Sequence, residues 1–365
     1  GRPLTHRGTK VMDELQQITD RAARLERDAA WEEAHAMYDR AFAAARAAGD
    51  VCRMADATRS TARMLRELGR LEEAEEQAEL SLELATRGDL PTEAARAINI
   101  LGTILYVGGD IHQARDVYEI ALEAARELRE DDLTLSACVN LGVVANIRGD
   151  LRAAFAFYLE SLAAAVRTGN VAASVAGYNN LGLLAADARE WMQADLLFHR
   201  ALELAEEVGD TTAIAMLLLN RAEPLIHVGE LDAAQKVLDR AEAMAERIQN
   251  ARELAEAARF RGILARRRGK NADASGHFAR SLLMATRAGL RLERAEALEQ
   301  IALLHHDAGR ADAARAHLAE ACAEFFAAGA TRDCLRLREL SGEWSAAGEE
   351  PSPSAVPALR IAGVA

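Results

Sequence analysis

Proline, cysteine and aromatic residues are all scarce in this sequence of 365 residues, which has 6 prolines, 4 cysteines and 4% Phe, Trp and Tyr. Together with abundant alanine, the low aromatic content favours helices that pack through small side chains. The cysteines show no Cys-x-x-Cys spacing, so we expect neither a disulfide framework nor a zinc site, and a reducing, cytoplasmic environment fits. The sequence shows no apolar run of membrane-spanning length and no signal-peptide pattern, so we expect no membrane partner.

The charge of the chain and its catalytic residue types exclude further classes of function. A net charge of −13 and a pI near 5.3 argue against nucleic acid as the principal partner, because phosphate binding requires a basic face. His305, His306 and His317 lack the spacing of metal ligands, and residues 262–270 lack the glycine spacing of a phosphate loop. No Ser/His/Asp set supports nucleophilic catalysis. We therefore predict no enzyme, no metal and no cofactor.

An internal repeat organises most of the chain. An alanine recurs every 40 residues, and a strict period of this length indicates one supersecondary unit stacked on copies of itself. Small residues recur twelve positions before and seven positions after each repeated alanine, a large side chain usually follows four positions after it, and glycine usually lies five positions before it. The alanines, 40 residues apart, are Ala34, Ala74, Ala114, Ala154, Ala194, Ala234, Ala274 and Ala314.

One unit, residues 131–170, predicts two amphipathic helices. Apolar residues recur there every three or four positions, stop at Gly149, resume, and stop again at Gly169. Glycine just after the last periodic residue is a helix stop, so each unit is predicted to be helix, tight turn, helix, loop.

The order of Gly142, Gly149, Ala154, Tyr158 and Ser161 resembles the tetratricopeptide repeat. The resemblance covers about residues 11–329 and implies an all-α, right-handed superhelical solenoid of about eight helix-turn-helix repeats with a C-terminal capping helix. The period of 40 exceeds the 34 residues usual in the family. Asn-Leu-Gly at residues 140–142 and 180–182 resembles the subgroup of LGN-type scaffolds, kinesin light chains and bacterial peptide-sensing regulators.

The predicted organisation has four parts. Residues 1–10 are a polar leader, residues 11–330 are eight repeats, residues 331–346 are a capping helix, and residues 347–365 are a tail containing Pro and Ser. The tail is either disordered or docked on a groove, its own or that of a neighbouring copy.

In the family that the sequence resembles, the first helix of each pair lines the concave face. An asparagine amide there can donate and accept, and so can bind a peptide backbone, or the asparagines can bind one another and fix the register between helices. The arginines can hold a carboxylate, or they can form a solvated, charge-balancing face. Carried over by position, the predicted ligand-binding residues are Arg59, Arg63, Arg66, Arg96, Asn99, Asn140, Val143, Asn146, Asn179, Asn180, Leu183, Asn220, Arg259, Arg266 and Arg267.

The function implied by the resemblance is a scaffold that binds a protein or peptide segment in its concave groove. Two alternatives remain open at this stage. One is a regulatory sensor module of a larger signalling or transcription protein that responds to a bound peptide. The other is a structural solenoid that self-assembles through its ends or its C-terminal tail.

Overall fold

The structure is a computed structural model that describes the backbone of residues 6–346 and the side chains of residues 15–330 and 332–344. Over this range the chain consists of helices joined by short turns and contains no strand, so the predicted all-α fold of helix-turn-helix repeats is confirmed. The helices are α1 (His6–Arg27), α2 (Trp31–Ala48), α3 (Val51–Glu67), α4 (Leu71–Arg87), α5 (Pro91–Val107), α6 (Ile111–Leu128), α7 (Asp131–Ile147), α8 (Leu151–Thr168), α9 (Val171–Asp187), α10 (Trp191–Val208), α11 (Thr211–Val228), α12 (Leu231–Ile248), α13 (Ala251–Arg267), α14 (Asn271–Arg287), α15 (Arg291–Asp307), α16 (Ala311–Ala327) and α17 (Thr331–Ala346).

The helices form two compact units, which are described separately. Unit 1 contains α1–α8 and unit 2 contains α9–α17, with the division after Gly169. The first helix begins at His6, so residues 6–10 of the predicted leader are helical. Residues 1–5 and the predicted tail at 347–365 lie outside the described residues.

Glycine followed by a short polar residue ends one repeat and begins the next, as Gly209 and Asp210 show. Gly209 has a φ of 72°, in the left-handed region that favours glycine, and its N–H donates to the carbonyl oxygen of Glu206. The Asp210 carboxylate then accepts a 3.0 Å hydrogen bond from the N–H of Ala213 and so caps α11. This pair closes one helix and opens the next without the proline that is common in the family.

In four of the helix pairs, close contact between an aromatic ring and a glycine sets the spacing of the two helices. A Cβ atom added at Gly182 on α9 would lie 2.6 Å from the Phe198 ring on α10, and one at Gly102 on α5 would lie 2.7 Å from the Tyr118 ring on α6. Both rings are almost completely buried. In these pairs, the small residue twelve positions before the repeated alanine and the large residue four positions after it are therefore in contact with each other.

Successive odd-numbered helices also pack against each other within each unit. In unit 1 these contacts join α3 to α5 and α5 to α7, and in unit 2 they join α9, α11, α13 and α15 in turn. The even-numbered helices contact mainly their odd-numbered neighbours. The side chains that lie between adjacent odd-numbered helices are therefore the ones that can form contacts from repeat to repeat.

The last helix, α17, covers the apolar end of unit 2. Leu337 is buried in a cluster with Leu298, Leu318 and Phe325. The Arg336 guanidinium makes two hydrogen bonds, of 2.7 and 2.8 Å, to the Glu299 carboxylate on α15. An Arg–carboxylate pair of this bidentate geometry fixes orientation as well as distance. The helix thus packs where the first helix of a further repeat would lie.

A disulfide joins Cys322 on α16 to Cys334 on α17, a pairing that the sequence analysis did not expect. The two residues are 12 apart in sequence, without a recognisable motif, and they meet because α17 packs against α16. Cys52 and Cys138 are free thiols. The disulfide closes a short loop, which restricts the unfolded chain and so favours the docked position of α17.

Alanine substitution at two glycines tests the helix spacing. We expect Gly182→Ala to lower the free energy of unfolding by about 1–3 kcal/mol, because the new methyl group must displace the Phe198 ring. The matched control is Gly276→Ala on α14, where a Cβ meets no atom within 4 Å. That change should raise the free energy of unfolding by about 0.5–1 kcal/mol, since alanine favours helix. Urea denaturation followed by circular dichroism measures both, and equal effects would contradict the account.

Candidate functional site

The odd-helix surface is the face made by half-buried side chains of the odd-numbered helices, and α7 shows it most clearly. Ser136, Val139, Val143 and Asn146 are all half-buried on this helix, at spacings of three or four residues, and the half-buried Asn140 lies beside Val139. Such spacings place them on one helix face. This face contains the α7 positions that the sequence analysis predicted.

Two pairs of predicted asparagines bind each other. In unit 1 the Asn140 amide nitrogen on α7 donates to the Asn99 amide oxygen on α5 at 3.2 Å. In unit 2 the Asn220 amide nitrogen on α11 donates to the Asn179 amide oxygen on α9 at 2.8 Å. Asn99, Asn179 and Asn220 are buried. For these four residues the structure shows the interaction between helices that the sequence analysis held as the alternative to ligand binding.

Asn180 and Asn146 differ from these pairs. Asn180 on α9 is half-buried and makes no side-chain hydrogen bond within the described part of the chain. The Asn146 amide oxygen on α7 is buried and accepts no hydrogen bond. Buried acceptors without a donor are rare in proteins, so this oxygen calls for an explanation.

The predicted arginines of unit 1 are ion-paired within the chain. Arg63 on α3 lies 3.0 Å from the Glu26 carboxylate on α1. The remaining pairs join Arg59 to Asp56 and Glu93, Arg96 to Glu93 and Glu130, and Arg66 to Glu67. Several of these pairs cross from one odd-numbered helix to the next. The basic cluster seen in the sequence is therefore neutralised in the fold and also links adjacent repeats.

Unit 2 repeats the arrangement at two of its three predicted arginines. Arg259 on α13 is buried and lies 3.1 Å from the Glu296 carboxylate on α15. Arg266 lies 2.6 Å from the Asp307 carboxylate, also on α15. Arg267 differs, because it has no carboxylate partner among the described residues and instead contacts His227.

His227 and Trp191 form a stacked pair beside Arg267. Their ring centroids are 4.0 Å apart and their planes differ by 4°. The Arg267 guanidinium donates to Nδ1 of His227 at 3.4 Å, so the remaining ring proton lies on Nε2. Burial, and to a smaller extent the charges of Arg267 and Arg189, lower the pKa of His227 to about 4. The imidazole is therefore neutral at pH 7 and lies in positive surroundings.

The predicted apolar residues lie on the same surfaces. Val143 is half-buried on α7. Leu183 on α9 is partly buried and packs against the main apolar cluster of unit 2. The sequence analysis missed Trp191 and Arg189. The one signal for Arg189 was its departure from the glycine found at the same position in six of the eight repeats.

Two features are absent from the described residues. No group of three His, Cys, Asp or Glu side chains there is arranged to hold a metal ion. Nor does any helix in this range combine the length and the apolar composition needed to span a membrane. The predictions of no cofactor and no enzymatic activity stay predictions.

Comparison with known proteins identifies the repeat. Residues 93–165 match the family described as Tetratricopeptide repeat. No curated protein sequence matches the chain. Among solved structures, the apo form of RapI is 13% identical, with a TM-score of 0.68, covering 92% of this chain and 99% of that one. BtubC from P. vanneervenii is 20% identical, with a TM-score of 0.55, covering 60% and 93%.

A third similar structure is a Rap protein complexed with Competence and Sporulation Factor. It is 12% identical, has a TM-score of 0.56, and the match covers 92% of this chain and 98% of that one. At these identities the three likenesses concern the fold alone.

The surroundings of His227 predict its titration. In the folded chain we expect a transition near pH 4, followed by NMR of the ring protons, instead of the usual 6.5. Between these pH values the unfolded chain binds more protons, so the free energy of unfolding should fall as the pH falls through this window. Arg267→Gln should raise the pKa of His227 but leave it below 6.5, because burial is the largest cause. A wild-type transition at 6.5 would contradict this environment.

Proposed function

We propose that this chain, which is built of tetratricopeptide repeats, binds an extended peptide segment on the odd-helix surface of α5 and α7 in unit 1. The observation that carries the proposal is the buried Asn146 amide oxygen, which has no hydrogen-bond donor. A buried acceptor left without a donor costs the fold about 1–3 kcal/mol. The Asn146 side chain is half-buried, so rotation of its amide would bring this oxygen to the surface. There a backbone N–H of a bound peptide is a donor of the right kind, and binding would recover this energy.

The Asn99–Asn140 pair supplies further groups for the same ligand. Their single mutual hydrogen bond uses one Asn140 donor and the Asn99 oxygen. The Asn140 oxygen and the Asn99 amide nitrogen remain without another partner among the described residues. Together they offer one acceptor and one donor, which is the complement of a peptide group.

The spacing along α7 suits an extended chain. Asn140 and Asn146 are six residues apart on one helix, which is about 9 Å along the helix axis at 1.5 Å per residue. An extended peptide covers this distance with about three residues, at 3.3 Å each. Val143 lies between the two asparagines in sequence and is half-buried, so it can contact an apolar side chain of the peptide.

The fold comparison supports the class of ligand only in a general way. The similar Rap structure is of a protein in complex with Competence and Sporulation Factor. Since the likeness concerns the fold alone, the argument for this chain depends on its own asparagines.

A substitution that strengthens the fold while weakening binding tests the proposal. Asn146→Ala copies Ala186, which occupies the same repeat position on α9. We expect it to raise the free energy of unfolding by about 1–3 kcal/mol, because the buried unsatisfied oxygen disappears. We also expect weaker binding of peptides selected on the wild-type chain from a random 12-residue phage library, measured by fluorescence anisotropy.

A contrasting variant is Asn140→Ala, which removes the hydrogen bond to Asn99 and one acceptor of the proposed site, so it should also weaken peptide binding. It should lower the free energy of unfolding by about 1 kcal/mol. The proposal fails if no peptide is selected, or if Asn146→Ala leaves the affinity of every selected peptide unchanged. Destabilisation by Asn146→Ala would instead show that this residue supports the fold.

A further inference from the structure

Arg267 is exceptional among the arginines predicted for the odd-helix surface. Six of the seven have a carboxylate partner within the chain, namely Arg59, Arg63, Arg66, Arg96, Arg259 and Arg266. Arg267 has none among the described residues, and its guanidinium contacts only the neutral ring of His227. It is exposed at the last residue of α13. A positive charge is therefore present on this surface without a fixed counter-charge.

Arg189 is a second unpaired cation in the same neighbourhood. It lies in the turn before α10 and is near enough to His227 for its charge to lower the pKa of that ring. Its φ of 61° is in the left-handed region, which is unfavourable for residues other than glycine. Most repeats have glycine here, for example Gly229 and Gly269. The arginine thus persists at a position where glycine would stabilise the turn.

The Trp191–His227 stack connects these cations. Trp191 is two residues after Arg189 and packs face to face on His227, near the end of α11. Arg267 contacts the same imidazole from the end of α13. Three elements of unit 2, a turn and two helix ends, therefore place two guanidinium groups near the His227 ring.

Neither neighbouring carboxylate is an ion-pair partner of Arg189 or Arg267 within the part of the chain that the structure describes. Glu223 lies one turn before His227 on α11, and Asp187 ends α9, and each has interactions of its own. The carbonyl groups at the C-terminal end of α13 attract a cation, which helps to explain why an arginine lies at position 267. They do not explain the presence of Arg189, which lies in the turn before α10.

We propose that Arg189 and Arg267 bind the carboxylate group of a ligand beside the Trp191–His227 stack, on the odd-helix surface of unit 2. Guanidinium groups match the geometry of carboxylate and phosphate alike. The net charge of −13 disfavours a phosphate dianion more than a carboxylate monoanion. The site shares no residue with the peptide site proposed for unit 1, and either proposal can hold when the other fails.

Acetate titration of the full chain at pH 7 and constant ionic strength tests the site. NMR signals of the His227 ring and of the Trp191 indole, assigned with Trp191→Phe, report local binding. We expect a saturable shift with a Kd of about 1–100 mM, a range typical of weak binding by a few charged groups. Arg267→Gln should weaken acetate binding at least fivefold. Arg266→Gln, which removes the same charge from a residue paired with Asp307, should leave it unchanged.

Arg189→Gly is a second test, in which acetate affinity and thermal stability should change in opposite directions. It should weaken acetate binding and raise the melting temperature, because glycine suits the turn. The matched control is Ala29→Gly, at the same repeat position in unit 1, where φ is 54°. This control should raise the melting temperature and leave acetate binding unchanged, and it rules out stabilisation as the cause of weaker binding.

Further probes identify the source of the carboxylate. Binding of Ac-Ala-Ala-Ala-OH more tightly than acetate, with no binding of Ac-Ala-Ala-Ala-NH2, would identify a peptide C-terminus. Equal affinities for the acid and acetate would identify a small organic acid, and both results support the site. Inorganic phosphate binding more tightly than acetate would overturn the assignment to carboxylate. A linear shift that is the same in wild type and Arg267→Gln would overturn the site itself.

Discussion

In four of the helix pairs, the contact of an aromatic ring with a glycine on the partner helix is the constraint on which the packing of that pair depends. At Gly182 and Phe198 no side chain larger than hydrogen fits without movement of the ring. This contact fixes the distance between the two helices of a pair, and it recurs at Gly102 and Tyr118. With the pairs held in this way, adjacent odd-numbered helices come close enough for side-chain hydrogen bonds between them. The polar residues of the odd-helix surface that differ from repeat to repeat then determine which side chains pair with a neighbouring helix and which do not.

The polar side chains of the odd-helix surface fall into two groups. Those with partners on the next odd-numbered helix hold the repeats in register, as the Asn179–Asn220 pair and the Arg259–Glu296 pair do. Others are not paired in this way: the Asn146 amide oxygen is buried without a donor, and Arg267 has no carboxylate partner among the described residues. Unsatisfied groups lower stability or leave charge unbalanced, so they are where a ligand can contribute most.

The sequence was sufficient to predict the helices but insufficient to predict which side chains pair. The 40-residue period and the glycine stops predicted the helix-turn-helix pattern, because both depend on local backbone preferences. The partner of Asn140 depends on the offset between helices, and the 41-residue offset that selects Asn99 is visible only in the structure. The same limit hid the carboxylates that neutralise Arg59 and Arg266, and the approach of Cys322 to Cys334. Only the left-handed turn at Arg189 left a trace in the sequence, as an arginine in a glycine position.

The central claim is that amide pairs fix the register of adjacent odd-numbered helices, and a double-mutant cycle on Asn179 and Asn220 tests it most directly. The free energy of unfolding would be measured for both single alanine variants and for the double variant. The account predicts a coupling energy of about 0.5–1.5 kcal/mol, the usual net value of an intramolecular hydrogen bond. Strict additivity of the two single effects would contradict it, because the 2.8 Å hydrogen bond between the amides would then contribute nothing to stability.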